Sequence, residues 1–389
     1  NGLIFVSNAV DPSFNNLVSN YAINWGDGSP NFTTTTDAWT PQNHEYAPGI
    51  YTLTYTITGP NNCTTNRTYQ VFVGNSPAVG LGSPGNTEGC TPITLTFPIL
   101  NTGNNVPGTI YNVVFSDGSP TISLNHPAPA NITHTFQQSS CGESVQNGSV
   151  LEQNAFGVTI QAVNPCGSSS ATVAPIRLSE PPSALFTANP TTVCVNQTST
   201  ITSTADLGSN VTGSTCNSNA VLYWTVSPEV GWMTTGTLGS SNGFAPVNYT
   251  GWTPGSNTLP LTFSQPGTYS ITQHIANGCG EDTYTEVICV IPTPICAFTL
   301  TPTSGCSVLN VNSSNTSQPP SCNAVPLDLQ YTWTVSSPSG GNGSSTISSP
   351  TAQSPTFTFT NSGTTNITFT VTLTVSPINP QTGLPMSCT

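Results

Sequence analysis

Two copies of Asp-Gly-Ser-Pro contain the first residues whose type and spacing suggest chemistry. Asp27 lies in "NWGDGSP" (24–30) and Asp117 lies in "FSDGSP" (115–120), each two residues after an aromatic side chain. Such a carboxylate could bind a cation. It could instead accept hydrogen bonds from nearby backbone N–H groups and shape a turn in which glycine takes a positive φ. The turn interpretation, which we favour, gives a structural role to five residues: Trp25, Asp27, Gly28, Asp117 and Gly118.

The alternative interpretation is a calcium site. Calcium takes about six to eight oxygen ligands, several of them carboxylates. Asp27 has Asp37 and Glu45 nearby in the sequence, and Glu281 with Asp282 forms a second acidic pair. The second half of the chain has no Asp-Gly motif at the corresponding places. We therefore expect the chain to fold without a required metal, and we predict no other cofactor.

The four histidines do not form a recognisable catalytic motif. A nucleophilic triad needs a His that contacts both a carboxylate and a Ser or Cys. None of the four follows a G-x-S-x-G or a comparable motif. His44 and His134 each lie just before a strand pattern, which favours a structural role. The sequence therefore predicts a protein that is not an enzyme.

The cysteines are the best indication of the cellular location of the chain. There is no C-x-x-C pair and the histidines are scattered, so the spacing of a zinc site is absent. Dispersed cysteines in a chain without lysine favour an oxidising location, secreted or at the cell surface. All twelve cysteines are disulfide candidates: Cys63, Cys90, Cys141, Cys166, Cys194, Cys216, Cys279, Cys289, Cys296, Cys306, Cys322 and Cys388.

Two series of cysteines recur at nearly constant spacing. The first series follows an alternating strand pattern each time: Cys63, Cys166, Cys279 and Cys388. The second series precedes an apolar run each time: Cys90, Cys194 and Cys306. Each second-series cysteine comes 27 or 28 residues after a first-series cysteine. The same strand, linker and strand therefore recur, which indicates a tandem array.

Strand patterns dominate every repeat, and no segment has helical periodicity. "IYTLTYTITG" (50–59) and "TNITFTVTLTVS" (365–376) alternate apolar with polar residues, and 35 Pro and 34 Gly separate such runs. The fold prediction is all-β, with four tandem immunoglobulin-like β-sandwiches in an elongated rod. The predicted domains are 1–74, whose first strand is missing, 75–179, 180–292, and 293–389, whose last strand is missing.

The first predicted domain resembles the polycystic-kidney-disease-type (PKD) family. The matching positions are Trp25, Gly26, Asp27, Gly28, His44, Tyr46, Pro48, Gly49 and Tyr51. The second domain keeps Phe115, Asp117, Gly118, His134 and Phe136. The third and fourth lack Asp-Gly and are degenerate copies. The resemblance implies immunoglobulin-like folding, and the Gly-Cys-x-x-L and Asn-Gly-Cys-Gly landmarks are similar to repeats in large surface adhesins of gliding bacteria.

The cysteines of one sandwich are expected at opposite ends, because a strand of about six residues spans roughly 20 Å and a disulfide needs Cα atoms within about 7 Å. One hypothesis therefore places the disulfides at domain junctions. Cys90 and Cys141 would then face Cys216 and Cys279, and Cys194 and Cys289 would face Cys296, Cys322 and Cys388. The alternative is one bond within each domain: Cys90–Cys166, Cys194–Cys279 and Cys306–Cys388, with Cys63 paired to a missing upstream residue.

Charged residues are scarce, and this excludes several partners. Only 4% of residues are charged and the net charge is −13, so nothing in the chain could neutralise the phosphates of nucleic acid or of an anionic membrane surface. No run of about 18 apolar residues exists, which argues against membrane insertion. Hydrophobic residues still make up 35% of the chain, so we expect a folded protein with a Thr, Ser and Asn surface.

These observations predict a disulfide-stiffened stalk in an extracellular adhesin or surface filament, which spaces and presents adhesive contacts. Its partners would be further domains of the same polypeptide, with surface glycans or other surface proteins as ligands. One alternative is the accessory region of a secreted hydrolase, in which Trp39, Trp232 and Trp252 could stack on sugars or could simply cover sandwich edges. Another is a self-assembling sheath or filament subunit, a homo-oligomer.

Overall fold

The computed structural model confirms the all-β prediction. It describes residues 2–6, 20–36, 38–243, 249–336 and 342–388. Within these ranges there is no α-helix, only strands and two 3-10 turns, Pro60–Asn62 and Tyr249–Gly251. The described part of the chain accordingly has no helix with the length and apolar character of a membrane span. The chain divides into two compact units: a first unit of Asn1–Glu180 with Ser209–Asn217, and a second unit of Pro181–Gly208 with Ser218–Thr389.

The first sandwich of the first unit lies within residues 2–74. Its strands are β1 Gly2–Val6, β2 Asn20–Asn24, β3 Phe32–Thr34, β4 Gln42–Tyr46, β5 Gly49–Thr58 and β6 Thr64–Val73. One sheet has the order β3-β2-β5-β6, and β1 pairs with β4 in the other. Both sheets contribute to one hydrophobic core, whose buried members are Ile23, Trp25, Tyr46, Leu53 and Val71.

The second sandwich, also in the first unit, lies within residues 75–179. Its strands are β7 Gly80–Leu81, β8 Glu88–Cys90, β9 Ile93–Leu100, β10 Ile110–Phe115, β11 Ile122–Asn125, β12 Asn131–Phe136, β13 Ser144–Asn147, β14 Val150–Gln153, β15 Phe156–Asn164 and β16 Gly167–Ser179. The sheets are β11-β10-β15-β16-β8 and β12-β9-β7, and β13 with β14 forms a hairpin. The short edge strand β8 runs parallel to the end of β16.

The third sandwich belongs to the second unit, apart from one hairpin described below. Its strands are β17 Phe186–Asn189, β18 Thr192–Cys194, β19 Thr198–Ser203, β20 Asn210–Thr212, β21 Thr215–Asn217, β22 Val221–Ser227, β23 Trp232–Thr234, β24 Thr258–Phe263, β25 Gly267–Asn277 and β26 Gly280–Ile291. The sheets are β17-β19-β24-β23 and β18-β26-β25-β22. Alternation in β25 buries Tyr269, Ile271 and Ile275. Gln273 is buried with them, and it donates to Ser203 and accepts from the Leu185 N–H.

The fourth sandwich completes the second unit. Its strands are β27 Phe298–Thr301, β28 Leu309–Asn315, β29 Ser321–Cys322, β30 Val325–Pro326, β31 Leu329–Ser336, β32 Gly343–Ile347, β33 Thr356–Asn361 and β34 Thr370–Pro377. The order β27-β28-β33-β32 forms one sheet, and β31 pairs with β34 in the other. Trp333 and Phe357 lie at the centre of its core. The domain limits 75, 180 and 293 stay predictions, because the contacts of the chain define two units and not four.

Six of the seven cysteines in the two series occupy similar places in their sandwiches. Cys63 lies between β5 and β6, Cys166 between β15 and β16, and Cys279 between β25 and β26. The second series lies at the other end: β9, β19 and β28 begin three or four residues after Cys90, Cys194 and Cys306. For these six cysteines the regular sequence spacing corresponds to similar positions in the fold. Cys388, the last of the first series, differs, because it lies eleven residues after the end of β34 at Pro377.

Hydroxyl side chains cover the outer faces of the sheets. Threonines on neighbouring strands share hydrogen bonds of 2.6–2.9 Å, and Ser344 bonds Thr360 at 2.6 Å in the same way. Such cross-strand pairs stabilise a sheet by up to about 1 kcal/mol each. They also keep the surface polar where charges are scarce. The threonine pairs are Thr94–Thr135, Thr159–Thr172, Thr198–Thr262 and Thr272–Thr285.

Candidate functional site

Asp27 shapes the turn after β2 and holds a side chain of the opposite sheet. Its Oδ1 accepts the backbone N–H of Ser29 at 3.0 Å, and its Oδ2 contacts Nε2 of His44 at 2.7 Å. His44 lies on β4, so this hydrogen bond ties the turn of one sheet to a strand of the other. Gly26 and Gly28 take φ values of +80° and +83°, which glycine adopts without steric cost.

Asp117 repeats this arrangement in the second sandwich. Its Oδ1 accepts the Ser119 N–H at 3.0 Å, and its Oδ2 contacts Nε2 of His134 at 2.6 Å. His134 lies on β12, the counterpart of β4, and Gly118 has a φ of +83°. Two separate parts of the chain therefore fold the same motif into the same Asp–His clasp.

An aromatic pocket holds each histidine of the two clasps. The ring of His44 stacks on Trp25 with centroids 4.4 Å apart, and Tyr46 meets it edge-on at 4.6 Å. The Tyr46 hydroxyl also donates to the Trp25 carbonyl at 2.8 Å. In the second sandwich, His134 stacks on Phe115 at 3.8 Å, and Phe136 is edge-on at 4.6 Å. The histidines are thereby fixed as part of the packing between the sheets.

The clasps keep both aspartates ionised. Desolvation by burial raises the pKa of Asp27, but hydrogen bonds from His44 and Ser29 outweigh it and lower the pKa to about 2. For Asp117, desolvation by burial also raises the pKa. Hydrogen bonds from His134 and Ser119 outweigh it and lower the pKa below its ordinary value. Each carboxylate is therefore stabilised as an anion by the groups that it holds in place.

The clasp of the second sandwich has the residue types of a triad but not its geometry. Ser119 Oγ lies 3.5 Å from Nε2 of His134, the same nitrogen that Asp117 contacts at 2.6 Å. In a nucleophilic triad the carboxylate and the nucleophile contact opposite nitrogens of the imidazole, so that the ring can relay a proton from one to the other. With both partners on one nitrogen, His134 cannot serve Ser119 as a base that Asp117 orients.

The acidic residues considered for calcium do not come together in the described chain. Its residues include no group of three or more His, Cys, Asp or Glu side chains that could hold a metal ion. Asp37 lies outside the described residues. Glu281 and Asp282 lie at the start of β26, and Asp282 Oδ2 accepts the Ala184 N–H at 2.8 Å. Calcium binding stays a prediction, with the oxygens of Asp27 already engaged by His44 and Ser29.

Disulfides connect parts of the chain that lie in neighbouring repeats. Cys141 bonds Cys216 in the first unit. In the second unit, Cys194 bonds Cys388 and Cys289 bonds Cys322. Cys90 and Cys279 are disulfide-bonded as well. Four candidates are exposed free thiols, so the pairing predicted for them does not form in this chain: Cys63, Cys166, Cys296 and Cys306.

The alternative of one bond within each domain is wrong for Cys90–Cys166, Cys194–Cys279 and Cys306–Cys388. The reason is strand length. Cys194 pairs with Ile291 at the end of β26, whereas Cys279 precedes the start of that strand. At about 3.3 Å per residue, β26 keeps the two cysteines roughly 35 Å apart. The parallel pairing of β8 with the end of β16 separates Cys90 from Cys166 in the same way.

One hairpin of the third repeat belongs to the first unit. Strands β20 and β21 lie within Ser209–Asn217, and the Cys141–Cys216 disulfide joins this segment to the second sandwich. Arg177 Nε donates to the Gly213 carbonyl at 2.6 Å, while its guanidinium also pairs with Glu152 at 2.8 Å. The junction hypothesis placed Cys141 opposite Cys216, and these two cysteines are bonded. It did not predict that the whole hairpin belongs to the first unit.

A small apolar cluster surrounds the two disulfides of the second unit. The buried members are Cys194, Cys289, Ile291 and Leu327, and Cys322, Met386 and Cys388 pack against them. Ile291 ends the last strand of the third sandwich, and Leu327 precedes β31 of the fourth. The junction between these sandwiches therefore combines two disulfides with an apolar packing contact.

The tryptophans that could have stacked on sugars are packed instead. Trp252 is only 4% exposed, and Trp39 is half-buried against the rings of Phe32 and Tyr55. Trp232 is also half-buried, and its Nε1 donates to the Pro228 carbonyl at 2.8 Å. All six tryptophans lie among the described residues, and none is exposed. The structure therefore presents no open tryptophan platform for a glycan.

Neither a protein-family model nor a curated protein matches this sequence. Solved structures resemble it weakly. The three N-terminal domains of the bacteriophage RB49 outer capsid protein Hoc share 11% identity, with 79% of this chain and 95% of that chain covered and a TM-score of 0.34. Extracellular domains 3–5 of Drosophila OTK share 10% identity over 75% of this chain and 91% of that chain, with a TM-score of 0.24. Similarity at this level does not assign the chain to a family.

Proposed function

We propose that this chain is a non-catalytic stalk segment of an extracellular adhesin, built from PKD-like sandwiches and stiffened by disulfides at their junctions. The observation that supports the proposal is the disulfide pattern. Cys141–Cys216, Cys194–Cys388 and Cys289–Cys322 each join positions in neighbouring repeats and none lies within one sandwich. Bonds inside a sandwich would stabilise a domain, whereas bonds between sandwiches restrict how one moves on the next.

The second unit illustrates how such a junction would resist bending. The third and fourth sandwiches are connected by the peptide chain after Ile291 and by two disulfides. A single flexible connection allows both bending and twisting, whereas three separate connections oppose both. The apolar cluster around Ile291 and Leu327 adds a contact that would have to be exposed to water on bending.

Composition suits an exposed, extracellular place for such a stalk. Disulfides persist in oxidising surroundings, and the only cleavage sites for trypsin-like proteases are Arg67 and Arg177. The guanidinium of Arg177 is engaged by Glu152 and Gly213. In this proposal the stalk connects further domains of the same polypeptide at the cell surface. Adhesion to glycans or surface proteins would arise from many weak contacts acting together.

Negative-stain imaging of the purified chain tests this proposal. Four sandwiches at roughly 35–40 Å each would give rods about 150 Å long. The double variant Cys194→Ser/Cys388→Ser should give rods of the same length with a wider range of bend angles. Cys296→Ser, which removes an exposed free thiol, is the matched control and should leave that range unchanged. Compact particles instead of rods would contradict the stalk function.

A further inference from the structure

The Cys194–Cys388 disulfide connects two distant points of the backbone in the second unit. Cys194 ends β18 of the third sandwich, and Cys388 follows β34 of the fourth. The two cysteines are 194 residues apart in the sequence. The stretch between them contains every strand from β19 to β34. The disulfide therefore gives the chain a second covalent route between these two points, and this route is one bond long.

Hydrogen bonds on both sides of this disulfide hold the two segments together. The Thr191 N–H donates to Oε1 of Gln381 at 3.2 Å, and Nε2 of Gln197 donates to the Ser387 carbonyl at 2.8 Å. The side chain of Cys194 is only 2% exposed. The crosslink is therefore part of a packed contact between the start of the third sandwich and the segment that follows the last strand of the fourth.

Tension that enters the third sandwich ahead of Cys194 can detach only two short strands. β17 pairs with β19 over four residues, and β18 pairs with β26 over three. Once these strands are detached, the disulfide passes the load directly to Cys388, because the backbone route between the two cysteines is much longer and stays slack. The strands from β19 to β34 then bear no tension.

The Cys289–Cys322 disulfide of the same junction has a different place in the covalent route. It links positions 33 residues apart, and both positions lie inside the stretch between Cys194 and Cys388. Its removal therefore leaves the short route unchanged. Because both disulfides lie in one apolar cluster, they have similar surroundings and differ in what they do to the path of tension.

We propose that the Cys194–Cys388 disulfide is a redox-controlled limit on the extension of this chain. While the bond is intact, tension applied before Cys194 and after Cys388 bypasses the third and fourth sandwiches. Reduction puts their backbone into the loaded route. At about 3.3–3.6 Å per residue, the 194-residue separation corresponds to about 600–700 Å of extended chain. The bypass follows from the bond itself, whereas its use under tension rests on the proposed stalk function.

Release of this length requires a thiol reductant, for which dithiothreitol is the probe. One thiolate of dithiothreitol attacks one sulfur of the disulfide, and the other sulfur leaves as a thiolate. The second thiol of the reagent then attacks the mixed disulfide and displaces the remaining cysteine. Two electrons and two protons pass to the two cysteines, and the reagent closes into a cyclic disulfide.

Pulling on the full chain in optical tweezers, below forces that break covalent bonds, tests the proposal. One handle is attached through Leu185→azidophenylalanine, at a side chain that is 47% exposed, and the other through a tag at the C-terminus. The parent chain should release less than about 40 Å, since only the backbone from 185 to 194 extends. With dithiothreitol, or in Cys194→Ser/Cys388→Ser, the release should be about 400–600 Å, roughly tenfold more.

Cys289→Ser/Cys322→Ser is the matched control and should release as little as the parent chain without reductant. A purely stabilising role would lower the unfolding force in both double variants without this difference in released length. Should Cys194→Ser/Cys388→Ser not fold, the gain in length of a single folded parent molecule on addition of dithiothreitol gives the same comparison.

Release of several hundred ångströms by the parent chain without reductant would overturn the proposal. So would an unchanged short release after reduction. Bend angles in negative stain report separately on the stalk function, because imaging applies no tension. A rigid rod without the extension limit, or an extension limit in a chain that is not a rod, would therefore be recognised as different results.

Discussion

Asp27 and Asp117 show what the repeated carboxylate does at the scale of a residue. Each accepts a backbone N–H two residues ahead and an imidazole from the opposite sheet. The turn was predictable from Asp-Gly in the sequence, because an Asp side chain accepts hydrogen bonds from nearby backbone N–H groups and Gly adopts positive φ without steric cost. The histidine partner did not follow from spacing alone, since it arrives 17 residues later on another sheet. Local chemistry is predictable from the sequence, but contacts between sheets depend on the fold.

Asp27→Asn should make the stability of the first unit less sensitive to acid. The pKa of Asp27 is about 2 in the folded chain, and its ordinary value of 3.8 applies when the chain is unfolded. Its contribution is therefore fully present above pH 4 and is lost as the pH falls towards 2. Urea unfolding followed by tryptophan fluorescence between pH 2 and 7 measures this. Glu88→Gln, at an exposed carboxylate, is a control.

The expected loss for Asp27→Asn at neutral pH is about 1.5–3 kcal/mol, the range for a hydrogen bond to a charged group. The variant should also show a shallower fall in the free energy of unfolding below pH 4 than the parent chain. Parallel curves for the two proteins across this window would show that the clasp does not govern the acid response.

Gly26→Ala and Gly28→Ala form a matched pair in the same turn. Both glycines have φ near +80°, so alanine is strained at each. A Cβ at Gly26 would meet the Thr52 carbonyl oxygen at 2.2 Å, whereas a Cβ at Gly28 has nothing within 4 Å. Gly28→Ala should cost about 1 kcal/mol, and Gly26→Ala should cost several times more or prevent folding. Equal midpoints in urea for the two variants would contradict this interpretation of the turn.

The β20–β21 hairpin is the clearest case at the scale of an element where sequence and structure differ. Strands such as β5 and β34 were predictable because their alternation is local. The hairpin is short, and its stabilising partners are Cys141, Glu152 and Arg177, at least 30 residues upstream. Because these contacts are non-local, they produce no periodic pattern in the sequence. The sequence therefore suggested the contact between Cys141 and Cys216 but not the placement of the whole hairpin in the first unit.

Arg177→Gln should loosen the hairpin. The substitution removes the ion pair with Glu152 and weakens the bond to the Gly213 carbonyl, at a cost of about 1–3 kcal/mol to the first unit. Hydrogen exchange of the backbone N–H groups in 210–217 should increase. Arg67→Gln, at the exposed second arginine on β6, is the control and should leave exchange unchanged. Similar effects from both variants would indicate a general charge effect instead.

At the scale of the whole molecule, disulfides join parts of the chain that lie in neighbouring repeats. The regular cysteine series let the sequence predict an array of sandwiches. The partner of each cysteine was left open between two hypotheses, because spacing fixes a position within a sandwich and not the neighbour that it meets. Strand length decided against bonds within a sandwich, as the distance along β26 shows.

Removing the Cys194–Cys388 bond should destabilise the second unit. This disulfide closes a loop of 194 residues, and disulfides typically contribute about 2–4 kcal/mol. In Cys194→Ser/Cys388→Ser the unfolding midpoint of the fourth sandwich should fall, as reported by differential scanning calorimetry. Cys296→Ser should unfold like the parent chain. An unchanged thermogram for the double variant would mean that this crosslink carries no stability.

The hydroxyl ladders on the outer faces have a consequence for the medium that the protein can tolerate. Attraction between ionic side chains weakens as dissolved salt accumulates around them, but hydrogen bonds between neighbouring threonines do not. The cross-strand threonine pairs should therefore contribute about equally to stability at low and at high salt concentration, whereas the contribution of the Arg177–Glu152 pair should fall as salt is added.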